Sequence, residues 1–243
     1  MNRRGNVIRK MALTAVMLVL NLIFNRLFMF LSITPFNKIG IADVFTIFTS
    51  VYVGPFYGMV VGGFGDMLGA LLLPTGAINW LITAAKFVSG ALPGLLYLIF
   101  KRIQNKKLFK YISYGFMTSI CVVLTVLINV FPETNLGGTN VSFVLWERIV
   151  FPILTFLLCF LLFFFLHFFE KKFHFESNYD LWFIVIIYEL MFPLIINTII
   201  KASYFQVSFI PIFVVQLLLF VVDIVLIVVV LNLLKRVKIL SRS

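Results

Sequence analysis

Charge is what this chain has least of. Asp, Glu, Lys and Arg make up 12% of its 243 residues, and only nine residues are acidic. A soluble globular domain carries about twice that share, so a water-facing surface around one core is excluded. Histidine and cysteine are nearly absent, with two of each. His167 and His174 flank a Phe-rich stretch and lack a second set of ligands, so no metal site is expected. Cys121 and Cys159 both fall in apolar runs, which implies no disulfide framework. There is no Walker A motif, no nucleophile elbow, and no clustering of carboxylates that phosphoryl transfer or intramembrane proteolysis would need. These absences point away from an enzyme, a lipid-processing one included, and call for no cofactor. Any active transport would draw its energy from an ion gradient or from a partner.

What is present is apolar length. The chain is 62% hydrophobic with 30 Phe, and its mean hydropathy is +1.11. Its runs are long enough for several helices of roughly 20 residues each, and too long and uniform for the alternating strands of a membrane barrel. The expected fold class is all-α, a polytopic membrane bundle of about eight spans. They are placed near residues 11–31, 44–53, 54–73, 77–100, 112–131, 143–169, 181–200 and 209–234. The first follows a basic start, as in a signal peptide, but its apolar run is too long and no small-x-small site closes it. It reads as a retained helix.

The net charge of +11 orients the protein. Arg3, Arg4, Arg9 and Lys10 precede the first span. Lys101, Arg102, Lys106, Lys107 and Lys110 fill the loop 101–110, Lys171 and Lys172 another, and Lys235, Arg236, Lys238 and Arg242 the tail. With alternating spans, all of these fall on one side, the positive-inside pattern, which places both termini in the cytoplasm of a cell membrane. Nucleic acid is not the implied partner. Membrane lipid is, through attraction of the basic loop to anionic headgroups.

The third span carries the densest pattern. Gly54, Gly58 and Gly62 recur every fourth residue, and Gly65 and Gly69 repeat the spacing. On a helix this clears a strip along which a neighbour can approach closely. Ala12 and Ala15 offer a similar small-residue face on the first span. Gly54, Gly58 and Gly62 could serve packing inside the protein or against a partner. Lys86 lies about nine residues into its helix, too deep to reach water easily, so it needs a partner or a wet cavity. Asp66 on the preceding span should lie at similar depth, which predicts a buried Lys86–Asp66 ion pair. Asn21 and Asn25 share one face of the first span, with Arg26 beside them.

Three features then resemble the substrate-binding (S) components of energy-coupling factor (ECF) transporters, the folate family most of all. They are the small residues Ala12 and Ala15 on helix one, the Gly54-Pro55-Phe56-Tyr57-Gly58 turn after helix two, and the run Gly62, Asp66, Gly69-Ala70, Pro74, Gly76. Helix four, with Ala84, Ala85, Gly90 and Gly94, and the element Arg148-Ile149-Val150-Phe151-Pro152, are also similar. The family has six helices. The resemblance therefore implies a six-helix core over residues 1–175 and an additional C-terminal transmembrane hairpin over 176–243. It implies high-affinity capture of a vitamin, folate or a relative, from outside, and delivery to a shared transmembrane subunit driven by two cytoplasmic ATPases. Candidate substrate-binding residues come from the outer loops and helix ends: Asn25, Arg26, Lys38, Asp43, Asn79, Trp80, Lys86 and Arg148. Trp80 could stack on a flat ring, and Arg26, Lys38 or Arg148 could meet carboxylates.

Two other readings compete. Glu189 and Asp223, carboxylates inside the last two spans, could be the proton or sodium sites of a secondary transporter. An assembly factor without substrate would leave the buried Lys86 without a purpose.

Overall fold

The computed structural model describes residues 3–27, 40–72, 79–103, 106–130, 133–136, 139–142, 179–205 and 209–236, with scattered positions between 145 and 168. It is a polytopic helical membrane protein. Among the described residues, five helical stretches are long and apolar enough to cross a bilayer: Gly5–Arg26, Pro55–Leu72, Trp80–Phe100, Asp180–Ser203 and Val215–Leu234. The chain divides into two compact units. One comprises residues 1–102 with 226–243, the other residues 103–225.

The first unit is built from α1 (Arg3–Leu27), α2 (Asp43–Tyr52), α3 (Pro55–Leu72) and α4 (Trp80–Phe100). At 10 residues, α2 spans about 15 Å, half of a hydrocarbon core of roughly 30 Å. Its residues from Asp43 to Val51 are all buried, so it is the centre of the unit. Polar groups buried in this way need hydrogen-bond partners, and the three hydroxyl residues it carries there are bonded. Thr49 Oγ1 donates to Phe45 O at 2.7 Å, Thr46 Oγ1 accepts from Asn21, and Ser50 reaches across to α4.

The turn from α2 to α3 depends on Gly54. Its φ of 141° is a conformation that side chains rarely allow, and both its N–H and that of Val53 bond Thr49 O. Beyond the turn, α3 lies against α4 with almost no side-chain layer between them. A Cβ at Gly58 would run into Gly90 O and Ser50, one at Gly62 would come 2.8 Å from Lys86 O, and one at Gly90 would strike Gly58 O. Gly58 and Gly62 thus pack inside this unit. Ala12 and Ala15, by contrast, are exposed on α1.

Pro93 sits inside α4. Proline has no N–H to give to the turn before it and crowds the carbonyl four residues back. The disturbance is held from outside the helix: Gly94 N donates to Ser50 Oγ at 2.9 Å, and Ser50 Oγ donates to Ala91 O at 3.4 Å. Ser50→Ala leaves a buried N–H without its acceptor and is expected to lower stability by about 1–3 kcal/mol. Thermal unfolding in detergent measures this.

In the second unit, α5 (Lys106–Val130) packs on α6 (Tyr179–Glu189), with Phe109 and Phe183 ring centroids 5.4 Å apart. The basic segment 101–110 is therefore only partly loop, because helix begins at Lys106. Lysine is a good helix former and its charge can extend from the helix end to the membrane surface. The polar segment after α5 contains an antiparallel pair, β1 (Glu133–Leu136) and β2 (Thr139–Ser142), in the register Glu133↔Ser142 to Leu136↔Thr139. After α6 the chain passes through a π-helical stretch, Leu190–Ile196, into α7 (Asn197–Phe205), followed by α8 (Phe209–Arg236), which counts with this unit as far as Val225. Pro193 lies inside the π stretch. The wider turn accommodates a residue that cannot donate a backbone hydrogen bond, and Asn197 N–H bonds Phe192 O.

Candidate functional site

Polar side chains gather at one end of the first unit, where α1 and α3 finish and α2 and α4 start. Asn21 on α1 is buried and donates through Nδ2 to Ala42 O at 2.8 Å and to Thr46 Oγ1 at 3.1 Å. These bonds join the end of α1 to the first turn of α2. They are possible because Gly65 on α3 has no side chain, for a Cβ there would collide with Asn21 Oδ1.

Lys86 Nζ lies 2.7 Å from Asp43 Oδ1 and 2.9 Å from Oδ2. This ion pair ties α4 to the start of α2, with side-chain exposures of 20% for Lys86 and 11% for Asp43. The carboxylate found on Lys86 is thus Asp43, where depth along the helices points to Asp66. Depth fixes the level of a side chain within a bundle but not the direction it takes around its helix. Asp66 instead accepts from Thr83 Oγ1 at 2.7 Å, linking α3 to α4.

Arg26, in the last turn of α1, is half-buried and within electrostatic range of Asp66. Its guanidinium rests against α3, for a Cβ at Gly69 would lie 2.7 Å from Nη2 and 3.1 Å from Nε. The cluster therefore holds two cations and two carboxylates within four helix ends. They offer a ligand both hydrogen-bond donors and acceptors.

Of the other candidates, Asn25 is half-buried one turn beyond Asn21. Asn79 is the N-cap of α4, its side chain accepting from Leu81 N at 3.0 Å. Trp80, in the first turn of α4, is 59% exposed. Lys38 lies outside the described residues. Arg148 is half-buried and belongs to the second unit. That unit also contains Glu189 and Asp223, both fully buried. Thr46 and Thr83 join the cluster although neither stands out in the sequence. The available signal is a hydroxyl within an apolar span, which is common and seldom decisive.

The family model for the ECF transporter substrate-specific component matches residues 9–167. The chain is also 29% identical over 147 residues to "Folate transporter FolT" of Clostridium novyi (strain NT), an alignment covering 58% of this chain and 78% of that protein. No solved structure gives a significant match.

Proposed function

Because the chain belongs to the family of ECF transporter substrate-specific components, we propose that it captures a folate-like vitamin outside a bacterial cell and passes it to a shared transmembrane subunit driven by two cytoplasmic ATPases. The observation that carries this reading is the polar cluster of Asn21, Arg26, Asp43, Asp66, Thr83 and Lys86 at one end of α1–α4. Apart from the cluster's own Arg26 and Lys86, the basic residues on and beside α1–α4 lie at the opposite helix ends: Arg9 and Lys10 near the start of α1, Lys101 and Arg102 after α4. The positive-inside rule then turns the polar end outward and both chain termini toward the cytoplasm.

A folate-like ligand joins a flat ring with hydrogen-bonding edges to an anionic tail. Carboxylates and amides suit the first, and a guanidinium suits the second. In this reading Arg26, Asp43 and Lys86 form the floor of the site. Asn25, Asn79 and Trp80 serve its rim, with Trp80 stacking on the ring. Gly58 and Gly62 already face α4, so the exposed Ala12 and Ala15 are the small residues left for the partner subunit. Residues 1–175 supply the capture function and 176–243 add a hairpin to it, a division supported by the end of the family match at residue 167.

Copurification from native membranes, with identification of associated proteins and bound small molecule, tests the proposal. The expected result is one transmembrane partner, two ATPases and a vitamin. Uptake by the purified chain alone under a proton or sodium gradient would instead favour transport through Glu189 and Asp223.

A further inference from the structure

One buried donor at the polar end stands without an acceptor among the described residues: the side-chain nitrogen of Asn79. Asn79 caps α4, and its side-chain oxygen accepts from Leu81 N at 3.0 Å. Its backbone oxygen takes the N–H groups of Ile82 and Thr83 at 3.1 and 3.3 Å. Only the oxygen of an amide can accept an N–H, so the capping bond fixes which way the group is turned. The Nδ2 end is held away from the Leu81 N–H, buried and unpaired. Buried polar groups are almost always hydrogen-bonded, and an exception calls for a reason.

Its position supplies one. Asn79 and Thr83 are four residues apart and so share one side of α4, and Thr83 Oγ1 donates to Asp66 on α3 at 2.7 Å. The amide thus stands one turn outside the cluster, on the side of α4 that meets α3. Its NH2 group has donors only, beside a helix start whose partial positive charge also favours an acceptor. We propose that Asn79 is a specificity-determining residue that demands a hydrogen-bond acceptor on the edge of the ligand's ring and turns away rings that present an amino group there. On a folate ring the exocyclic acceptor is the carbonyl oxygen. A carbonyl pairs the buried Nδ2, whereas an amino group sets donor against donor and leaves both unpaired. This inference rests on the vitamin-capture reading above and gives a selection rule to a residue which that reading leaves at the rim.

The test compares folate with aminopterin, the analogue in which an amino group replaces the ring carbonyl oxygen, on the purified full-length chain. The two share one tail, so contacts to its carboxylates cancel in the ratio of affinities. The parent should bind folate about tenfold more tightly or better. Asn79→Asp keeps a good helix cap and puts an acceptor in place of the NH2, so it should reverse the preference. Asn79→Ser also keeps the cap but has no amide donor, and should bring the ratio toward one; it decides the matter if the new charge of Asn79→Asp prevents folding. A thermal unfolding midpoint for each variant separates these effects from loss of fold. A residue that only capped α4 would leave the ratio where it was. An unchanged ratio, an equal loss of both ligands, or a parent with no preference for folate overturns the inference while vitamin capture stands. If the folded parent binds neither ligand, the capture reading fails and this inference fails with it.

Discussion

Replacing Gly90 with leucine is expected to abolish the folded first unit. Even the first added carbon would strike Gly58 O and come 2.8 Å from Met59 Cα, and these are backbone atoms of α3 that no rotamer change can move aside. Overpacking against mobile side chains costs about 1–3 kcal/mol. Here two helices must separate along a contact that also includes Gly58, Gly62 and Ser50, so a loss above roughly 3 kcal/mol is expected, a large part of the usual 5–15 kcal/mol of stability. The outcome should be aggregated protein on size-exclusion chromatography, or a sharply lowered unfolding midpoint. Gly115→Leu is the matched control. Among the described residues, nothing outside its own stretch of helix lies within 4 Å of a Cβ at Gly115, so that variant should elute and unfold like the parent.

The second large effect concerns Lys86. Lys86→Met removes one partner of an ion pair and leaves the Asp43 carboxylate, with 11% of its side chain exposed, among apolar helices. Stranding a fully buried charge costs about 3–5 kcal/mol. With partial solvent access to both groups, roughly 2–4 kcal/mol is expected. Combining Lys86→Met with Asp43→Asn should recover most of that loss, because a neutral pair of similar shape needs no counter-charge. Unfolding midpoints of the parent, the two single variants and the double variant complete the cycle. Additive losses would show that the two residues do not stabilise each other.

Much of this architecture was legible in the residues. The short apolar run after Ala42 marks α2 to within a residue at each end, and the four-residue glycine spacing announces the close approach of α3 to a neighbour. The need of Lys86 for a partner or a wet cavity follows from its depth alone. Which carboxylate meets it does not, because Asp43 and Asp66 differ in the direction their side chains take, and direction is set by packing among four helices. The same limit applies to α2. Its length shows that it is a short span, but its place at the centre of the unit depends on which helices surround it. Local detail escaped for a different reason. The β1–β2 pair is held by backbone hydrogen bonds in a segment of Thr, Asn and Gly that also suits a loop, and the π turn at Pro193 is one of several ways a helix can accommodate proline.

Hydrogen exchange of the purified chain with and without folate, in the absence of any partner or nucleotide, tests most directly whether solute is held by the polar end of α1–α4. The prediction is slowed exchange at four separate places in the sequence: the end of α1 around Asn21 and Arg26, the start of α2 at Asp43, the end of α3 at Asp66 and the start of α4 near Lys86. Slowing confined to residues 103–225, or none at saturating folate, would contradict it.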